Sequence, residues 1–217
     1  MAAGSARETV NAELLTLTYG AMVAQLIKDF EDPLEVNVQL EAMGYNIGVR
    51  AVDEFCAKSR GVRCRNFRET MDTVAREAFK MFLGVPAVLS DVGADGNSCI
   101  LRIPDNPLAG AWGARARARA RAETGLPARL TLLHLSATPL RNRALAPPDF
   151  VELPAAYSAL RYSNILCGVI RGALEMVSLR VSCTFVKDAL AGDDGTEIRV
   201  TLQEVLGEGA GAAYRDD

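Results

Sequence analysis

Histidine is almost absent from the chain. The 217 residues include five cysteines but only one histidine, His134. No two cysteines have the C-x-x-C spacing of a zinc site or a redox-active pair, and their number is odd. We therefore expect no metal site and no Cys–His catalytic pair, and we expect reduced thiols, as in cytosolic proteins.

Long apolar runs are also missing. No stretch of about 18 apolar residues is present, which excludes a membrane-spanning helix by composition. The stretch Met1–Thr9 is short and polar without an apolar core, so we expect a cytoplasmic protein and not a secreted one. Apolar residues still make up 49% of the chain, which is enough to form the core of one domain.

The sequence also lacks the motifs of several common enzyme families. The sequence contains no G-x-S-x-G motif, no phosphate-binding P-loop and no G-x-G-x-x-G turn that opens a helix after a strand. These absences predict a protein that is not an enzyme, with no catalytic residues.

The charge is unevenly distributed. The chain carries a net charge of −3, but the segment 109–148 has seven arginines and one glutamate and is therefore +6, which leaves −9 elsewhere. An acidic domain with a basic inset is not typical of a nucleic-acid-binding protein. The Ala-Arg alternation in this segment has no apolar face. We interpret 109–148 as a disordered insertion, with the translation of an unremoved intron as the alternative.

Apolar spacing predicts three helices in the first half of the chain. Asp32 and Asn66, each followed three residues later by glutamate, predict N-caps, and Gly84 predicts a helix stop. Gly44 and Gly48 lie inside the second helix and indicate a close approach of backbones or a kink. The apolar stripes are Leu15, Tyr19, Met22, Leu26 and Phe30; Val36, Leu40, Met43 and Ile47; and Phe67, Met71, Val74, Ala78 and Met81.

Strand patterns follow the third helix. Short strands are predicted at 87–91 and 98–103, a helix begins at 163 or 164, and alternation at 179–185 and 197–203 predicts a hairpin with one buried face. The order predicts an α+β fold, with helices on one face of a small twisted antiparallel sheet. We expect a flexible N-terminus at 1–9, one domain over 10–206 that is interrupted by 109–148, and a flexible tail at 207–217.

Cys64 is the most distinctive residue for chemistry. It lies two residues before the predicted N-cap, between Arg63 and Arg65, with Arg60 and Arg68 nearby. Cationic neighbours and the positive end of a helix favour a thiolate, which is the form that attacks an acyl thioester. Ala78, a small residue in the stripe of the third helix, leaves room for an apolar chain. The residues thus raise the hypothesis that Cys64 is S-acylated, whereas composition alone favours an ordinary loop cysteine.

Nine blocks of sequence resemble one known family, the subunit 3 family of the trafficking protein particle (TRAPP) complexes, which tether vesicles. The resemblance covers about 10–108 and 149–203. The blocks are Leu15–Ala21, Met43–Arg50, Phe67–Thr70, Ala78–Met81, Asp149–Pro154, Tyr162–Asn164, Leu166–Val169, Arg171–Val177 and Gly195–Arg199.

This resemblance implies a scaffold role. It implies the TRAPP core-subunit fold and pairing with other TRAPP subunits through the helices, as a heterodimer or a homodimer. It also implies action on ER-to-Golgi transport, at the cytoplasmic side of the cis-Golgi and endoplasmic reticulum membranes, in a complex that promotes nucleotide exchange on a Rab-type GTPase.

The resemblance also implies an acylated cysteine. The family's palmitoylated cysteine corresponds to Cys64, with Arg63 as its basic neighbour and an acyl channel near Ala78, to which we add Phe67, Met71 and Val74 as the thiol environment. A reversible lipid carrier is the alternative function. A thiol acyltransferase is a third hypothesis, for which the sequence offers neither a base nor a product exit. The segment 109–148 and the chain after Gln203 depart from the family, which leaves a GTPase contact by the C-terminus open.

Overall fold

The structure is a computed structural model that describes residues 12–59, 64–108, 158–191 and 193–207. Its elements follow the order helix, helix, helix, hairpin, helix, hairpin. They are α1 (Ala12–Phe30), α2 (Pro33–Lys58), α3 (Phe67–Thr73), a π-helical turn (Val74–Ala78), α4 (Phe79–Leu83), β1 (Val88–Ser90), β2 (Ser98–Ile103), α5 (Ile165–Met176), β3 (Leu179–Lys187), a 3-10 turn (Ala189–Ala191) and β4 (Thr196–Val205).

The helix boundaries follow local signals. The Asp32 side chain accepts a hydrogen bond of 2.9 Å from the Leu34 backbone N–H, and Pro33 takes the first position of α2. Gly84 ends α4 in the left-handed conformation with φ 74°. The predictions of the Asp32 cap, the Asn66 cap and the Gly84 stop are all confirmed.

The four strands form one antiparallel sheet in the order β1-β2-β4-β3. Cys99 of β2 and Cys183 of β3 both pair with Val200 of β4, which fixes the register across the sheet. Along β3, Val181 is buried whereas Arg180 and Thr184 are exposed, as the alternation predicted. The helices and this sheet make the predicted α+β fold.

Four glycines bring α2 and α5 into backbone contact. A β-carbon on Gly44 would lie 2.1 Å from the Ile165 carbonyl oxygen, and one on Gly48 would lie 2.2 Å from that of Val169. On α5, a β-carbon on Gly168 or Gly172 would likewise lie 2.0 Å or 2.2 Å from a carbonyl oxygen of α2. The close approach predicted from the glycine spacing is confirmed.

The predicted buried face of α2 needs a correction. Ile47 was placed in the core stripe but is 50% exposed, and Met43 is only half-buried. The buried residues are instead Gly44, one position after Met43, and Gly48, one position after Ile47, together with Val49. Because glycine has no apolar side chain, hydrophobic periodicity put the contact face about one residue too early.

A buried polar cluster joins the end of β2 to the start of α5 and of β4. The Asn106 side-chain N–H groups donate to the hydroxyl oxygens of Ser163 at 2.9 Å and Thr196 at 3.3 Å, and the Asn106 side-chain oxygen accepts from the Leu108 backbone N–H at 3.1 Å. Each member of the cluster is satisfied, so it costs little to bury. Residues before and after the gap in the described chain therefore lie side by side.

Several predictions fall outside the described residues. They are the flexible segment 1–9, the insertion 109–148, and the tail from residue 208 onward. They stay predictions. Over the part of the chain that the structure does describe, no helix combines the length and apolar character needed to cross a bilayer.

Candidate functional site

The segment that carries Cys64 folds back along α3. Asn66 caps the helix, because its side-chain oxygen accepts from the Glu69 backbone N–H at 2.9 Å. Glu69 in turn accepts from the Arg65 backbone N–H at 2.9 Å. These two contacts fix the path of the chain just before the helix, and Cys64 is exposed there.

The sulfur of Cys64 lies against the second turn of α3. It is 3.4 Å from the Thr73 hydroxyl oxygen, and either group can act as the donor. Glu69 and Thr73 are four residues apart and therefore share one face of the helix. The preceding segment thus contacts this face twice, through the Arg65 backbone and through the Cys64 thiol.

This position differs from the one that the sequence suggested. Thr73 is seven residues beyond the N-cap Asn66, which is about 10 Å along a helix axis at 1.5 Å per residue. The field of a helix terminus falls off within its first turn. The residue that the thiol contacts, Thr73, therefore lies beyond the first turn of the helix, and activation of Cys64 by the helix terminus stays a prediction. Arg65 and Arg68 are exposed, and Arg60 and Arg63 lie outside the described residues.

The apolar residues predicted around the thiol belong to the hydrophobic core or pack against it. Phe67 is 5% exposed and Met71 is fully buried in the core. Met71 and Thr73 are two residues apart, which is about 200° around an α-helix. Thr73, which the Cys64 sulfur contacts, therefore lies on a different face of α3 from Met71, and the roles of Phe67, Met71 and Val74 in the thiol environment stay predictions.

In the third helix, the small residue that lies in the core is Ala75. It is fully buried, whereas Val74 and Ala78 are half-buried at the edge of the core. The apolar spacing predicted Val74 and Ala78 in place of Ala75, because that spacing corresponds to one continuous α-helical phase through the third helix. The role of Ala78 in an acyl channel stays a prediction.

A π-helical turn explains this change of phase. The Phe79 backbone N–H donates to the carbonyl of Val74, five residues earlier, instead of that of Ala75. The Ala75 carbonyl is thereby freed from the helix and accepts from the Ala87 backbone N–H at 2.9 Å. This bond ties the third helix to the chain that enters β1. π-Helical turns are rare and are frequent at functional sites.

A second polar cluster lies in an open groove between α2, α5 and β3. Arg171 forms an ion pair with Glu41, and the Tyr45 hydroxyl donates to Glu175 at 3.1 Å. Arg180 contacts Glu175 at 3.8 Å. The groove has a volume of about 460 Å³ at its α2 end. Its charges neutralise one another, so it offers no net charge to a ligand.

Comparison with known proteins gives one consistent result. The family model "Transport protein particle (TRAPP) component" matches residues 15–122 and 137–201, which leaves 123–136 between the two matched parts. The chain is 46% identical over 202 residues to "Trafficking protein particle complex subunit 3" of Dictyostelium discoideum, covering 93% of this chain and 88% of that protein. It is 44% identical, with the same coverage, to "Transport protein particle subunit bet3" of Schizosaccharomyces pombe.

A solved structure agrees with these relatives. It is described as a trafficking protein particle complex subunit 3 from Naegleria fowleri covalently bound to palmitic acid. The two chains are 40% identical with a TM-score of 0.70, and the match covers 93% of this chain and all of the other. The resemblance inferred from the sequence blocks is therefore confirmed. The chain belongs to the family of transport protein particle (TRAPP) components.

Proposed function

We propose that this chain is a non-catalytic core subunit of a TRAPP vesicle-tethering complex in ER-to-Golgi transport. The observation that carries this proposal is family membership over most of the chain, together with relatives that are named as subunits of the complex. In this role the protein contributes binding surfaces. Nucleotide exchange on a Rab-type GTPase belongs to the assembled complex at the cytoplasmic side of cis-Golgi and endoplasmic reticulum membranes.

The surface for another TRAPP subunit lies on α1 and α2. Among the described residues, twelve large apolar side chains are exposed, and seven of them lie on these two helices, a clustering that is typical of an interaction surface. Leu14 and Leu17 are three residues apart on α1, and Leu34 and Val38 are four apart on α2, so each pair shares one helix face. A related subunit, or a second copy of this chain, covers these side chains by packing helix against helix.

Purification of the complex tests this proposal. An affinity tag on the chain at its native expression level is expected to recover other TRAPP subunits, and the eluate is expected to accelerate nucleotide release from a Rab-type GTPase. Leu34→Glu together with Val38→Glu is expected to abolish recovery while the melting temperature of the isolated chain stays unchanged. Recovery of no TRAPP subunit by the unmodified chain contradicts the proposal.

We further propose that Cys64 carries a covalent fatty acyl group of the palmitoyl type. Support comes from the exposed thiol of Cys64 and from the relative that is covalently bound to palmitic acid. Covalent attachment in that relative favours attachment over the alternative of a reversible lipid carrier. In this proposal the acyl chain is buried against the core side of the third helix, where Met71 and Ala75 lie.

Intact mass measures the acyl group directly. We expect the protein isolated from its own cells to carry a palmitoyl increment that neutral hydroxylamine removes and that Cys64→Ser abolishes. Cys56→Ser is the matched control, since Cys56 is also exposed. A mass without any acyl increment, or an increment that persists in Cys64→Ser, contradicts the assignment. Because a buried chain cannot insert into a bilayer, Cys64→Ser is expected to leave membrane association of the assembled complex intact.

A further inference from the structure

We infer that the groove between α2, α5 and β3 holds a polypeptide segment of a related TRAPP subunit, with Arg171 as the residue that recognises it. The inference rests on the proposed subunit surface of α1 and α2 and extends that surface beyond the edge of α2. It starts from Val38, which is 56% exposed on the proposed surface and also lines the α2 end of the groove. A subunit that covers Val38 therefore reaches the opening of the groove.

The groove has room for a chain segment and not only for one side chain. Its volume is about 460 Å³ at the α2 end and about 360 Å³ at the β3 end. Arg171, Glu41 and Glu175 line both ends, so the two parts form one groove. Each part alone has the size of a site for a small molecule. Together they can hold several consecutive residues of a partner.

The walls of the groove are fixed before a partner binds. At Gly44 the two helices are so close that a β-carbon would lie 2.1 Å from a carbonyl oxygen of α5. The ion pair between Arg171 and Glu41 and the hydrogen bond of 3.1 Å from the Tyr45 hydroxyl to Glu175 join the same two helices. A partner segment therefore meets side chains that are already ordered, which lowers the entropy cost of binding.

The charges of the groove indicate which kind of segment it accepts. Its positive groups are Arg171 and Arg180, and its negative groups are Glu41 and Glu175, so it has no net charge. A phosphate group or an anionic lipid headgroup needs a surplus of positive charge and gains little here. An uncharged polypeptide segment fits both signs, because its carbonyl oxygens accept from arginine and its N–H groups donate to glutamate.

Arg171 is the group best placed to make such contacts. It lines both ends of the groove, and its side chain is still 41% exposed although it is paired with Glu41. A guanidinium group carries several N–H donors in a planar fork, and a single carboxylate does not use all of them. Arg171 can therefore keep its ion pair and also donate to a carbonyl oxygen of the partner.

A charge swap separates docking from a purely structural role. Glu41→Arg together with Arg171→Glu exchanges the two charges and keeps an ion pair between α2 and α5. Glu54→Lys together with Lys58→Glu is the matched control, because this exposed ion pair lies on α2 but does not line the groove. Each tagged full-length chain is expressed at its native level, the recovered TRAPP subunits are quantified by mass spectrometry, and the melting temperature of each isolated chain is measured.

We expect the swap at Glu41 and Arg171 to recover about tenfold less of the TRAPP subunits, as loss of one hydrogen bond to a charged group implies. Partner carbonyl oxygens would then meet a carboxylate where they met a guanidinium group. The melting temperature is expected to stay close to that of the unmodified chain, and the control swap is expected to recover the subunits fully. Full recovery by the swap at Glu41 and Arg171 overturns the inference and leaves the proposed TRAPP role intact.

Photo-crosslinking in the native complex gives an answer even if the swapped chain is unstable. A p-benzoylphenylalanine in place of Asn46, which lines the groove, is expected to crosslink to a TRAPP subunit. The same group in place of Asp95, which is exposed between β1 and β2, is expected not to crosslink to that subunit. A crosslink from position 46 to a second copy of this chain alone, or to no protein, overturns the inference. If the unmodified chain recovers no TRAPP subunit at all, the proposed function fails and the inference fails with it.

Discussion

Replacing Gly44 by alanine is expected to lower the free energy of unfolding by about 2 kcal/mol. The new β-carbon would lie 2.1 Å from the Ile165 carbonyl oxygen and 3.0 Å from the Val169 backbone nitrogen. A carbon–oxygen contact needs at least about 3.3 Å, so the two helices have to separate by about 1 Å at this point. The neighbouring atoms belong to backbone and cannot rotate aside.

Two opposing effects decide the magnitude. Overpacking of a tight contact costs about 1–3 kcal/mol, and a backbone neighbour places this site near the upper end. Alanine gains about 1 kcal/mol over glycine inside a helix. The difference leaves a net loss of about 2 kcal/mol, which for a chain of this size corresponds to a melting temperature about 4–8 °C lower.

Gly20→Ala is the control that isolates the crossing. Gly20 lies inside α1, and a β-carbon there would meet only the Tyr162 hydroxyl oxygen at 3.4 Å, an ordinary contact. The same gain in helix propensity then acts alone, so this variant is expected to melt at or above the temperature of the unmodified chain. Thermal unfolding by circular dichroism and urea denaturation measure both variants. A Gly44→Ala chain that is as stable as Gly20→Ala refutes the steric account of the α2–α5 crossing.

Two further predictions follow from burial. Burial raises the pKa of the Cys99 thiol to about 11 and that of the Cys167 thiol to about 12. Desolvation also raises the pKa of the half-buried Cys183 thiol well above its ordinary value. These three thiols are therefore expected to alkylate more slowly at pH 8 than the exposed Cys56 and Cys64, and alkylation of Cys99 or Cys167 as fast as that of an exposed cysteine contradicts this. Burial also raises the pKa of Asp188 above 3.8, so ionisation of its carboxylate opposes folding as the pH rises from 3.8 towards the native pKa. Asp188→Asn cannot ionise, so the unfolding free energy of this variant relative to the unmodified chain is expected to increase as the pH rises above about 4; a difference that is constant or falls excludes this effect.

The sequence predicts best what is decided locally. The caps at Asp32 and Asn66 formed as expected because each depends on a side chain and a backbone N–H group only two or three residues away. The alternation in β3 was visible because one face of the sheet is covered by helices and the other is not. The α+β class followed from the order of these local elements.

Tertiary contacts account for what the sequence did not show. The buried face of α2 was misplaced because its closest contacts are the glycines Gly44 and Gly48, which carry no hydrophobic signal. The Cys64–Thr73 contact joins residues nine apart through a fold-back that no periodicity describes. The sequence did contain a signal for this contact. Glu69 and Thr73 follow the Asn66 cap by three and seven residues, so both lie on the helix face that is nearest the preceding chain.

The third helix shows how one backbone hydrogen bond can override a regular pattern. A spacing of four residues drifts by about 40° per step on an α-helix, so three steps from Phe67 to Phe79 would carry a side chain about 120° away from the core. The π-helical turn contains one extra residue, which rotates the side chains that follow it by about 100° and so offsets most of this drift. Phe67, Met71, Ala75 and Phe79 are therefore all buried on one side. The competing α-helical phase would bury Val74 and Ala78 instead, but it would leave the Ala87 backbone N–H without the Ala75 carbonyl that accepts from it. A buried N–H without a partner costs about 1–3 kcal/mol, which is enough to select the π-helical turn and to make Ala75 the small residue at the core.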